Sequence, residues 1–138
     1  MTSANLKKLI EEFLAQKVFA VVGASRNPEK FGHQIYKTLK EAGYKVYAVN
    51  PKAEEILGDK CYPSVSALPE KPDVVDIVVP PNVALEVVKE CKALGINRIW
   101  LQPGSESPEI IDFCARNGLK CVHSVCVMIE SRKARVGS

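Results

Sequence analysis

Val18-Phe-Ala-Val-Val-Gly-Ala-Ser-Arg-Asn-Pro-Glu-Lys-Phe-Gly32 is an apolar run that breaks into a glycine, a serine and two cations. A short continuous apolar run ended by turn residues reads as a strand covered on both faces. Phe31, Ile35 and Leu39 then recur every four residues, the stripe of an amphipathic helix over about 30–42. Strand, glycine turn and helix together open a βα unit. The next apolar run ends in Val49-Asn50-Pro51-Lys52. A dinucleotide site usually places an acid there, to hold the ribose 2′-hydroxyl. Asn-Pro-Lys supplies none, and a cation at Lys52 suits a ribose phosphate instead.

The same grammar recurs along the chain. Glu41-Ala-Gly43-Tyr, Ala93-Leu-Gly95-Ile and Arg116-Asn-Gly118-Leu each join a helical stripe to a short apolar run through a glycine. Glycine just past a helix adopts the left-handed C′ conformation cheaply. Strands are expected at about 18–22, 45–49, 74–79, 98–101 and 120–122, with a brief extended piece at about 60–62. Helices are expected at about 4–16, 30–42, 83–94 and 109–117. Asn82 is the expected cap of the third, and Pro108 opens the fourth. The pattern predicts an α/β, Rossmann-like three-layer fold with a five-stranded parallel sheet, order 3-2-1-4-5. One domain is expected over the 138 residues, with a leading helix at 1–16 and a mobile tail at 131–138.

The net charge of +3 is too small for a nucleic-acid binder and compatible with an anionic small molecule. No apolar run reaches the ~18 residues of a membrane span, and the N-terminus carries acids among its apolar residues and lacks a signal-peptide core. The expected location is the cytoplasm. Cys61, Cys91, Cys114, Cys121 and Cys126 are odd in number and form no Cys-x-x-Cys pair. That pattern argues against a disulfide framework and a metal site, and each reads as a small hydrophobe. Trp100 is expected in or beside the sheet.

Ligands of such sheets bind outside the carboxyl ends of the strands. The unusual loops fall there: Gly23-Ala24-Ser25-Arg26, Asn50-Pro51-Lys52, Pro80-Pro81 and Gln102-Pro103-Gly104. Arg26 and Lys30 would reach a pyrophosphate, and a helix starting near Lys30 would aim its N–H groups at the anion. Gly32 would allow close approach at that start. NADP and coenzyme A both carry a ribose phosphate. Coenzyme A also needs an apolar path for its pantetheine arm, and Pro80 and Pro81 offer an apolar wall. His33 and His123 read as surface or structural groups. No Ser-His-Asp or Cys-His set is visible, so no catalytic residue is assigned.

The ordered set Gly-Ala-Ser, Lys-Phe-Gly, Val-Asn-Pro-Lys, Val-Val-Pro-Pro and Gln-Pro-Gly resembles the small stand-alone CoA-binding proteins. It is also similar to the N-terminal CoA-binding domain of the succinyl-CoA synthetase α subunit. The resemblance implies that Gly23, Ala24, Ser25 and Arg26, with Lys30, Phe31 and Gly32, hold the phosphates of CoA. Lys52 would contact the nucleotide end, with Asn50 and Pro51 beside ribose and adenine. Val79, Pro80 and Pro81 would line the adenine or pantetheine path. Gln102 and Pro103 stand where the synthetase has Thr-Glu. The synthetase's phosphorylated histidine lies in a following domain, and neither histidine here matches it. The expected function is therefore binding of CoA or an acyl-CoA without catalysis. An NADP-dependent reductase, and a regulatory subunit sensing acyl-CoA, are the alternatives. A protein partner or second copy would join through the leading helix. Cys126 lies where the resemblance also continues, and a mixed disulfide with CoA is its sharpest reading.

Overall fold

The computed structural model describes residues 3–136. Helix α1 (Ser3–Leu14) leads into β1 (Val18–Val22), α2 (Phe31–Glu41) and β2 (Lys45–Val49). A short hairpin follows, β3 (Glu55–Ile56) and β4 (Asp59–Tyr62). Then come β5 (Val74–Ile77), α3 (Pro81–Ala93), β6 (Arg98–Leu101), α4 (Pro108–Arg116), β7 (Lys120–His123) and α5 (Val127–Val136).

The sheet has seven strands in the order β3-β4-β2-β1-β5-β6-β7. It is mixed, because β3 pairs antiparallel to β4 while every other pairing is parallel. The five expected strands are present, but their order is 2-1-3-4-5 rather than 3-2-1-4-5. The position outside β2 belongs to the piece at Asp59–Tyr62, which pairs with it through Ala48–Cys61 and Val49–Tyr62. With that edge taken, β5 pairs on the other side of β1.

Two apolar layers cover the sheet. Phe19, Val21, Ala48 and Trp100 face α1, α2 and α5. Ala20, Val22, Val75, Ile99 and Leu101 face α3 and α4. This period-two division of β1 explains its unbroken apolar sequence. Trp100 is fully buried and donates its indole N–H to Val125 O at 2.9 Å. Helix α5 runs through buried Ser131 to Val136, and the last two residues of the expected tail, 137–138, lie outside the described residues. Helix α3 starts two residues earlier than a cap at Asn82 would place it. Pro80 is the N-cap, Pro81 takes the first turn, and its ring presets the helical φ.

Two local features carry a cost. Ile56 pairs with Asp59, so Leu57 and Gly58 form a two-residue turn, at φ 52° and 81°. Both signs fit the type I′ turn, whose first place favours asparagine; leucine there costs about 1–2 kcal/mol. The second is Asp76, which is fully buried beside Val21 and Trp100. Its Oδ1 accepts from Gln102 Nε2 at 2.6 Å, and its Oδ2 has no partner. Burial, partly offset by that bond, pushes its carboxyl up to about 8.

Gly32 is packed against backbone. A Cβ on it would lie 2.0 Å from Gly23 O. In an open helix Gly→Ala stabilises by about 1 kcal/mol. Here the sign should reverse: Gly32→Ala is expected to lose at least about 2 kcal/mol, read as a lower urea midpoint.

Asp76 sets a pH dependence. Its carboxyl titrates near about 4 when unfolded. From there up to about 8 the folded chain keeps a proton that the unfolded chain has released. Stability therefore falls as pH rises through that window, by at most about 1.4 kcal/mol per unit. Asp76→Asn keeps the acceptor for Gln102 and removes the titration. Its urea midpoint, measured relative to the parent, should climb between about pH 5 and about pH 8.

Candidate functional site

Parallel pairing of β1, β2, β5, β6 and β7 brings the loops that follow them to one edge. These are Gly23–Lys30, Asn50–Lys52, Val78–Pro80, Gln102–Ser107 and Ser124–Cys126. Hydrogen bonds join neighbours along that edge. Gly23 N donates to Val49 O at 2.9 Å and Asn50 Nδ2 to Ala24 O at 2.8 Å. Gln102 N donates to Ile77 O at 3.1 Å, and Val127 N donates to Gln102 Oε1 at 3.3 Å.

The first loop supports itself. Ser25 Oγ accepts from Asn27 N, Asn27 Oδ1 from Glu29 N, and Asn27 O from Lys30 N. Gly23 takes φ 99°, and a Cβ there would meet Val78 O at 2.3 Å. Ala24 is fully buried and Phe31 packs on the core. So Gly23, Ala24, Phe31 and Gly32 shape the turn by packing against protein. Arg26 and Lys30 are exposed, and neither has an ion-pair partner among the described residues. No side chain caps α2, whose N-cap is Lys30. The first N–H groups of a helix have no intrahelical acceptor, so this start is an anion-compatible end.

Asn50 has both ends of its amide engaged. Besides its bond to Ala24, Oδ1 accepts from Lys52 N at 2.9 Å. It ties the first two loops together and presents Lys52 on a fixed turn. Pro51 and Lys52 are exposed. On the next strands Val79 and Pro81 are half-buried, while Pro80 and Pro103 are exposed. Gln102 is wholly buried between Asp76 and α5, so its side chain braces the edge from beneath. Cys126 is half-buried at the entrance to α5, two residues after Ser124 at φ 67°. Of the other cysteines, Cys61, Cys91 and Cys114 are buried and Cys121 is half-buried.

A cavity of about 740 Å³ opens next to Arg26. Pro28, His33, Lys37, Glu54, Glu55 and Leu57 complete its lining. It runs from the first loop along α2 to the β3–β4 hairpin. Of these residues only Arg26 was in the expected set, and His33 had been read as structural. The signal for the far wall was Ile56-Leu-Gly-Asp59, a two-residue hairpin turn inside a stretch read as irregular. Tyr36 O–H donates to Asp59 Oδ2 at 2.8 Å, and Lys40 pairs with the same carboxylate. The Lys40 and Tyr36 bonds hold Asp59 below the usual carboxylate range, Lys40 contributing most, and burial, with the bond to Asp59, pushes the Tyr36 hydroxyl up. They also lock the hairpin to α2. Among the described residues no cluster of metal-ligating side chains occurs, and no helix is long and apolar enough to cross a membrane.

Known proteins share this architecture. The family described as CoA binding domain matches residues 17–132. The ADP-forming acetate–CoA ligase I of Archaeoglobus fulgidus is 36% identical over 128 residues, covering 86% of this chain and 19% of the ligase. A hypothetical protein from Pyrococcus horikoshii OT3 superposes with a TM-score of 0.85 at 37% identity, covering 96% of this chain and 92% of that one. The apo form of the dinucleotide forming acetyl-coenzyme A synthetase 1 of Candidatus Korarchaeum cryptofilum superposes with a TM-score of 0.68 at 35% identity. There the match covers 81% of this chain and 27% of the synthetase. The chain thus spans about a fifth of the ligase and about a quarter of the synthetase. By the family match and these likenesses, the chain belongs to the CoA binding domain family.

Proposed function

We propose that this protein binds coenzyme A, free or acylated, at the carboxyl edge of its sheet and performs no chemistry on it. The observation that carries this reading is Lys52. It replaces the ribose acid of an NAD site, it is exposed, and the Asn50 turn holds it beside the first loop. The membership of the CoA binding domain family supports the same ligand.

On this reading Arg26, Lys30 and the uncapped start of α2 take the pyrophosphate. Lys52 takes the ribose phosphate, with Pro51 beside it. Val79, Pro80, Pro81 and Pro103 offer the apolar path for the pantetheine arm. Gly23, Ala24, Phe31, Gly32, Asn50 and Gln102 act by shaping that surface. The arm would end near Cys126. The similar ligases are much longer proteins, so a larger partner that uses the bound CoA fits the same reading.

Calorimetry with CoA and NADPH tests it. CoA is expected to bind in the micromolar range or tighter, and NADPH much more weakly. Lys52→Ala should cost about 1–3 kcal/mol of CoA affinity. Tight NADPH binding without CoA binding would instead favour a reductase.

The thiol end has its own check. Cys126 thiolate attacking oxidised CoA would form one protein–CoA disulfide and release one CoA thiolate. Intact mass under non-reducing conditions should show a single CoA adduct, absent in Cys126→Ser. An adduct that persists in that variant would refute the placement.

A further inference from the structure

The cavity beside α2 holds unpaired groups of three kinds. Arg26 and Lys37 are exposed cations, and Glu54 and Glu55 exposed carboxylates. None of the four has an ion-pair partner among the described residues. His33 is only 7% exposed, and its Nδ1 lies 2.8 Å from Ser25 O. A carbonyl only accepts, so Nδ1 carries the proton. Nε2 has no protein partner among the described residues and lies open at the cavity.

Leu57 is the third element. It is 52% exposed and sits at positive φ, in a turn that asparagine or glycine would form without strain. The turn alone gains nothing from a leucine. With Pro28 it gives the cavity an apolar surface suited to a flat ring. The Tyr36 and Lys40 bonds to Asp59 keep that wall in place over α2.

A ligand complementary to these groups would carry a flat ring for Leu57, N–H donors for the carboxylates and negative charge for the cations. An aminopurine nucleotide has each of these. We propose that this cavity takes the adenine end of the nucleotide, with Leu57 as its apolar cover and Glu54 and Glu55 accepting from the 6-amino group. Arg26 and Lys37 then face the phosphates, and His33 Nε2 supplies the remaining polar contact. That the nucleotide is CoA rests on the function proposed above; the recognition of adenine rests on the cavity. It leaves Pro80 and Pro81 to the pantetheine arm.

The experiment compares ADP, IDP and CoA by calorimetry. IDP replaces the 6-amino donor by a carbonyl, which would face the carboxylates acceptor to acceptor. ADP is expected to bind at least about 10-fold tighter than IDP, and the double variant Glu54→Gln, Glu55→Gln should bring the ratio towards one. Leu57→Asn relieves the turn, so its Tm should rise by about 3 °C. The same variant should bind both CoA and ADP about 5–10-fold more weakly. Higher stability with lower affinity is a signature that a structural leucine would not give. Equal binding of ADP and IDP, undetectable ADP binding, or unchanged affinity in Leu57→Asn overturns the proposal. CoA binding accompanied by any of these leaves the CoA reading standing. Adenine selectivity without CoA binding removes the CoA reading and keeps the pocket.

Discussion

Everything at the carboxyl edge depends on one backbone contact, that of Gly32 with Gly23. With a Cβ on Gly32 reaching 2.0 Å from Gly23 O, helix α2 lies as close to the β1 turn as two backbones allow. Gly23 in turn presses on Val78 O, the exit of β5. Three strands' ends and one helix start are thereby drawn into a single surface. The contact also sets His33, whose ring then reaches Ser25 O and closes the loop from the far side. A glycine-rich turn is often read as room for a ligand. Here the room is filled by protein, and on the function proposed above a ligand would meet what that packing leaves exposed: Arg26, Lys30 and a helix start that no side chain caps.

From this contact the structure spreads in two directions. Towards β2, Asn50 spends its amide on Ala24 O and Lys52 N, so a polar residue at the site works as a clamp between loops. Towards β6, Asp76 and Gln102 do the equivalent beneath the surface and end on Val127 N. Asn50 is half-buried, Asp76 and Gln102 wholly so, and hydrogen bonds between such enclosed groups favour a rigid edge. The opposite edge has ties of its own: Asp73 Oδ2 accepts from Val18 N at 3.0 Å, and Glu12 pairs with Arg98 and Lys120 at the starts of β6 and β7. Gly43 and Gly118 make plain helix–strand turns with nothing within 4 Å of where a Cβ would be.

Most strands were legible because they are buried on both faces. A continuous apolar run such as Val18–Val22 has one reading, and β1, β2 and β6 lie where that reading puts them. The hairpin was not legible. Strand β3 has two residues, too few for any period, and Ile56 alone marks its buried side. Missing it moved β5 to the wrong side of β1. The loops of the site were found from turn residues, but side-chain roles were not. Gln102 looks like a contact residue in the sequence and is wholly buried, because its side chain reaches back to Asp76, which lies in register with Trp100 two residues earlier. Lys37 and Leu57 carry no sequence signal of shared surface. They meet only because the Asp59 anchor folds the hairpin onto α2.

The buried acid gives the edge its direction of coupling. The wholly buried Gln102 side chain joins a β5 carboxyl to the first turn of α5. Trp100 holds the residue before Cys126 through Val125 O. The Cys126 segment is therefore braced through Trp100 and Gln102, and the first loop from β2 and the exit of β5. A ligand spanning both ends would lie over the Asp76–Gln102 pair, which ties β5 to the first turn of α5 as a support beneath the edge. Protonated Asp76 lets that support exist without a buried charge, since ionising a carboxyl so enclosed is strongly opposed. An asparagine could supply the acceptor as well. What the acid adds is sensitivity of that support to pH, located directly beneath the edge that the ligand would occupy.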